Sequence, residues 1–181
     1  CNTLPLFALG VPQRLAEEIT LDLYAQRDAA RAIACEAGNA STQLTSKGVN
    51  YGSIIAHRIT KLPCAVTFDT SRLDGIDDDL VIRAFGWKGN QATIRGFTRN
   101  AAHNELGLQA TELVGNKDGD FDGVIDELTV GDMTALTTYM AALERPVTRI
   151  ELADLGLDTL SDQDRVDIIA GEALFTQTGC A

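Results

Sequence analysis

Between Pro12 and Gly38 the chain holds no proline or glycine. Leu15, Ile19 and Leu23 recur there at i, i+4 and i+8, Glu17 and Glu18 stand early in the run, and alanine dominates its second half. The pattern predicts a helix running from Pro12 to Ala37, stopped by Gly38. The preceding residues 3–11 (TLPLFALGV) are apolar, with Pro5 and Gly10 as breakers, and read as a buried loop or short extended segment. The polar stretch NASTQLTSKG after Gly38 reads as a loop, and it contains a glycosylation-type triplet, Asn39-Ala40-Ser41.

Further along, residues 51–60 and 64–69 carry short β-like runs (Ile54, Ile55 and Ile59; Val66 and Phe68). An acidic turn covers Asp74 to Asp79, and LVIRAF at 80–85 reads as another strand. Helices are expected over 91–106, 130–143 and 162–176. Thr129 with Asp132, and Ser161 with Asp164, have the spacing of capping boxes. On the last helix Val166, Ile169, Ala170, Ala173 and Leu174 fall on one face. Met133 and Met140 are spaced for one helix face and read as core. The fold class that follows is mainly α, with long loops and a few short β-strands, in a single segment 1–181 with sub-parts 1–80 and 81–181.

Composition removes several functions. Of 181 residues, 45% are hydrophobic and 23% charged, a globular rather than disordered balance. The net charge of -11 repels phosphate backbones and anionic lipid, so no nucleic-acid partner is expected. No run of about 18 apolar residues exists to span a bilayer. No signal peptide is visible. For an exported protein, the leader would lie upstream of residue 1.

Histidine occurs only at His57 and His103, which makes a His-rich metal site or a Ser-His-Asp triad hard to assemble. The cysteines, Cys1, Cys35, Cys64 and Cys180, form no CxxC pair. Their even number fits two disulfides in an oxidising compartment, with three connectivities open, or four unrelated thiols.

The clearest local motif is the run from Asp118 to Glu127 (DGDFDGVIDE). Carboxylates at Asp118, Asp120 and Asp122 occupy positions 1, 3 and 5 of an EF-hand-like loop, with Gly123 at 6, the Val124 carbonyl at 7 and Ile125 at 8. Three like charges so close favour a cation among them, here calcium. Position 12 departs from the pattern, because Thr129 stands where a bidentate Glu belongs, and Asp126 or Glu127 must close the shell instead. The alternative is a solvated acidic turn. The even spacing of the three aspartates along one turn does not suit the separated acid and base of a glycoside hydrolase.

Residues 171–181 read GEALFTQTGCA, the way the segment before a c-type haem-attachment motif reads. TLPLFALGV, FGWKGNQATIRGF, AAHNELGLQ, DGVIDELTVGDMTAL and ALERP follow one another in the chain. In that order, they resemble the bacterial di-haem cytochromes similar to cytochrome c peroxidase, including the thiol-oxidoreductase-like group. The likeness is strongest from Phe85 to Pro146 and at the C-terminus, and poor from Cys35 to Asp79.

The resemblance implies cytochrome c-like helical lobes in an exported, periplasmic or extracellular protein. It implies haem c, often bound calcium, and electron transfer with a donor protein or a small oxidant such as peroxide. Ile94-Arg95 matches a pair after which the family places an axial ligand, which puts His103 at that position. Arg95 would then suit a haem propionate, and Cys180 would be the first attachment thiol. Residue by residue, His103 reads equally as a surface or core histidine, Arg95 as part of an ordinary salt bridge, and Trp87 as core. No complete CxxCH lies within residues 1–181. A second reading is therefore a calcium-stabilised secreted binding or scaffold module without haem.

Overall fold

The breaker-free stretch folds as α1, Gly10–Ala37, a helix of 28 residues in the computed structural model, which describes residues 6–180. It starts two residues before Pro12. A proline there costs nothing, because the first turn's N–H groups have no intrahelical acceptor. Gly38, at φ 96°, ends the helix and returns its N–H to the Ala34 carbonyl. The buried stripe is Ala16, Ile19, Leu23, Ala30 and Ala34, while Leu15 faces solvent.

What covers that stripe overturns the mainly α expectation. Three long strands, β1 (Asn39–Ser46), β2 (Val49–Lys61) and β3 (Cys64–Leu73), form an antiparallel meander in the order β1-β2-β3. The fold is mixed, a sheet with helices. Ala40 pairs with Ala56, and Ala56 with Phe68. Ala40, Leu44, Ile54, Ala56 and Leu80 close over Ile19, Leu23, Ala30 and Ala34 to make the main core. The stretch expected as a polar loop is β1 itself. A half-buried strand needs an apolar residue only at alternate positions; Ala40 and Leu44 supply that face, and Ser46 is buried beside them with its hydroxyl donating to Asp22. Asn39 lies in this strand, with its side-chain oxygen against the His57 ring.

The expected strand at 80–85 does not form. Its residues run in an irregular loop whose only ladder contact is an isolated bridge between Phe85 and Gln91. Leu80 is fully buried there in a left-handed conformation, at φ 60°. Trp87, expected in the core, is 79% exposed on the same loop. The segment before α1 is also less buried than expected, with Phe7 exposed and only Leu9 inside, and residues 3–5 lie outside the described residues.

Three further helices follow: α2 (Ile94–Leu106), the short α3 (Thr111–Val114) and α4 (Val130–Ala142). Leu9, Phe85, Ile94 and Met140 form a second cluster, joined by Phe97. The rings of Phe85 and Phe97 sit 6.2 Å apart. Met133 and Met140 are buried as expected. Gln13 of α1 accepts a hydrogen bond from the Ile94 N–H at 2.8 Å, which fixes the start of α2. Where α1 meets α4, a Cβ on Gly10 would stand 2.5 Å from the Ala141 carbonyl oxygen, so only glycine permits the approach.

The chain divides into two compact units between Leu143 and Glu144. The second contains α5 (Arg149–Asp154) and α6 (Asp162–Gln177). Thr148 and Glu151 form a capping box at the start of α5, and Arg145 grips Glu151 at 3.0 and 2.5 Å. These donors hold the Glu151 carboxyl down to about 2. Neither helix buries a side chain completely, and Val166, Ile169 and Leu174 of the expected apolar face are exposed.

Cys35, in the last turn of α1, is joined to Cys64, the first residue of β3, with Cα atoms 5.9 Å apart. Cys180 is free and exposed, and Cys1 lies outside the described residues. Beside the bridge, Arg58 donates to the Cys35 and Glu36 carbonyls at 2.6 and 3.1 Å, satisfying the end of α1. The bridge closes a sequence separation of 29 residues. Loop-closure entropy of that size is worth about 3–4 kcal/mol. Replacing both cysteines with serine should lower the unfolding free energy by about 3–4 kcal/mol and steepen the denaturant dependence, because the uncrosslinked denatured chain exposes more surface.

Candidate functional site

The carboxylate loop lies between α3 and α4. Side-chain oxygens of Asp118, Asp120 and Asp122 converge within 4.8 Å of one another. The backbone turns around them as the motif requires. Gly123, at φ 92°, donates its N–H to Asp118 Oδ2 at 3.0 Å, and Val124 donates to Asp122 Oδ1 at 2.7 Å. Phe121 occupies the left-handed region at φ 64° with its ring in solvent, an uncommon conformation for an aromatic residue.

One atom is out of place in a protein-only account. Asp118 Oδ1 is shielded from solvent and meets no donor. A buried carboxylate oxygen without a partner costs free energy, and a cation is the simplest partner for it. The donor set is all hard oxygen, which suits calcium. Asp118, Asp120 and Asp122 therefore fit a calcium ion.

The residues expected to close the shell are placed differently. Glu127 accepts the Gln109 N–H at 2.7 Å, so one of its oxygens is committed to the backbone. Asp126 has only a long contact, 3.5 Å, from the Thr111 hydroxyl, and retains its coordinating capacity. The Val124 carbonyl follows directly after the three-aspartate turn.

The end of the loop is fastened to α4. Thr129 and Asp132 form the expected capping box, bonded in both directions, and the Thr129 donors hold the Asp132 carboxyl below its ordinary value. Ser161 caps α6 by accepting the Asp164 N–H, without the return bond.

Arg95, expected beside a propionate, is paired within the protein. Its guanidinium binds Glu112 through both Nε, at 3.0 Å, and Nη2, and it also donates to the Thr134 hydroxyl at 3.1 Å. Arg99 reaches the same Glu112 at 3.7 Å. The cluster ties α2, α3 and α4 together, and sequence reasoning missed Glu112 because the pair is 17 residues apart. With its side chain 16% exposed, Glu112 gains most from the Arg95 hydrogen bonds, which hold its carboxyl below 4.5.

His103 lies in the last turn of α2 and is exposed, and Cys180 stands three residues beyond the end of α6 with its thiol free. They belong to different units. His57, given no role by sequence, sits on the sheet with its Nδ1 2.9 Å from the Asn39 side-chain oxygen.

No family model matches the chain, and neither a curated protein nor a solved structure matches it. No helix among the described residues is long and apolar enough to cross a membrane.

The Glu112 cluster gives a pH signature. Because its folded pKa is lowered, the stabilisation is complete above 4.5 and fades as pH falls through the folded value. Thermal melts of the wild type should therefore fall off below about pH 4.5 more steeply than those of Glu112→Gln, which lacks that carboxylate. Parallel curves for the two proteins would show that the pair contributes nothing to stability.

Proposed function

We propose that this chain is the redox segment of an exported c-type di-haem cytochrome of the peroxidase-like kind, stiffened by a bound calcium ion. The observation that carries the reading is the surface of α6. Val166, Ile169, Leu174 and Phe175 are 53–60% exposed on a helix that leads to a free thiol at Cys180. A helix with an apolar surface, no core of its own and an exposed free thiol beyond its end suits a lobe completed by a porphyrin. The order of the five family-like segments supports the same reading. The Cys35–Cys64 bridge supports export, since disulfides persist in oxidising compartments.

Haem would supply a redox-active iron. Cys180 would supply one attachment thiol for the haem. Separately, within the first unit, His103 would offer an imidazole nitrogen to a haem iron from the last turn of α2. Arg95 would act at one remove, positioning α2 through Glu112. Electrons would come from a donor protein and pass to a small oxidant such as peroxide.

The test is a visible spectrum and an intact mass of the protein isolated from its source. A mass above 19.4 kDa with a Soret band that shifts in His103→Ala is the expected result. A bare-chain mass with no absorption above about 350 nm overturns the haem reading.

A second reading, a calcium-stabilised exported module used for binding or assembly, is favoured by the Asp118 cluster and by the commitment of Arg95 to Glu112. Calcium at about 100 times its Kd should stabilise the chain by about 2.7 kcal/mol, seen as a higher melting temperature. Asp118→Asn should abolish most of that gain. Melting indifferent to both calcium and chelator would remove calcium from either reading.

A further inference from the structure

Gln109 is the most deeply buried polar side chain near the carboxylate loop, at 3% exposure. It stands two residues beyond Gly107, the residue that ends α2. Leu108, between them, donates its N–H back to the Ala102 carbonyl at 2.9 Å, so the chain leaves α2 in a fixed direction. From there Gln109 holds both ends of the loop. Its side-chain oxygen accepts the Gly119 N–H at 3.0 Å, immediately after Asp118. Its own N–H donates to Glu127 at 2.7 Å, and its carbonyl accepts the Leu128 N–H at 3.3 Å. The fit at Gly119 leaves no slack, since a Cβ there would come within 2.9 Å of the Gln109 oxygen.

The two buried unpartnered polar atoms of this region belong to the same arrangement. Gln109 Nε2 has no acceptor and Asp118 Oδ1 has no donor. The bond from Gly119 fixes the amide orientation, so Nε2 cannot exchange places with the oxygen. A ligand that engages Asp118 therefore acts one residue away from the bond that Gln109 makes. From these contacts we infer that Gln109 is a positioning residue coupling cation binding at Asp118, Asp120 and Asp122 to the last turn of α2, which carries His103.

The coupling is mechanical and short. Moving Asp118 moves Gly119, Gly119 carries the Gln109 side chain, and Gln109 carries the Leu108–Ala102 closure of α2. It rests on the calcium reading of the loop and is independent of whether haem is bound.

The experiment is a calcium titration of the full, isotope-labelled chain followed by amide resonances, in the wild type and in Gln109→Leu, which keeps the volume and removes the side-chain acceptor. In the wild type the amides of Gly119 and Gly123 should shift together with those of Leu108 and His103, with one midpoint. In Gln109→Leu the loop amides should still shift, while the Leu108 and His103 shifts are lost. Loop shifts without any response at Leu108 or His103 in the wild type would overturn the coupling and leave the cation site standing. No shift at the loop in the wild type would overturn both.

Discussion

Leu23, Ala30 and Ala34 lie on one stripe of α1 with no contact with water, and the first unit is assembled around that stripe. The two alanines keep the helix surface low, so the sheet can approach until Leu44, Ile54 and Ala56 close the gap. Burying this surface is the main favourable term, at roughly 25 cal/mol per Å² of apolar area. The same helix sends Gln13 to the start of α2 and Thr20 to the Ile82 N–H. The loop after the sheet and the helical part of the unit thus take their positions from α1. Its N-terminal residue Gly10 also lies against the backbone of α4.

The second unit is built on a different principle. Its apolar side chains stay exposed, and Arg145–Glu151, Arg149–Asp158 and Arg165–Asp154 pairs form around its helix ends. Exposed ion pairs of this kind contribute little each, because water solvates the separated charges almost as well. They orient the chain more than they stabilise it. The carboxylate loop lies between these extremes, with ordered turns, little apolar cover and charge gathered on one side.

Local signals in the sequence read well where one residue type decides the outcome. Gly38 stops α1, Thr129 and Asp132 cap α4, and the three aspartates converge as their spacing requires. The misreadings share a cause. In β1 the buried face is made of one alanine, one leucine and Ser46, so composition hides the alternation. At 80–85 an apolar run looks like a strand, but Leu80 enters one core and Phe85 the other, and the chain between them is irregular. Arg95 matches a family position, yet its role is set by Glu112, which lies far along the chain and leaves no periodic trace. Contacts between elements, unlike caps and turns, are not written at any fixed spacing.

The bridge from Cys35 to Cys64 encloses both β1 and β2 in one covalent ring. The tight turn at Lys47 and Gly48, where both residues have positive φ, is the exposed tip of that ring. A protease that cuts there opens a loop without releasing a fragment, because sulfur still joins the two pieces. In a compartment rich in proteases, the sheet would survive a nick that in a reduced chain would separate α1 and β1 from the rest.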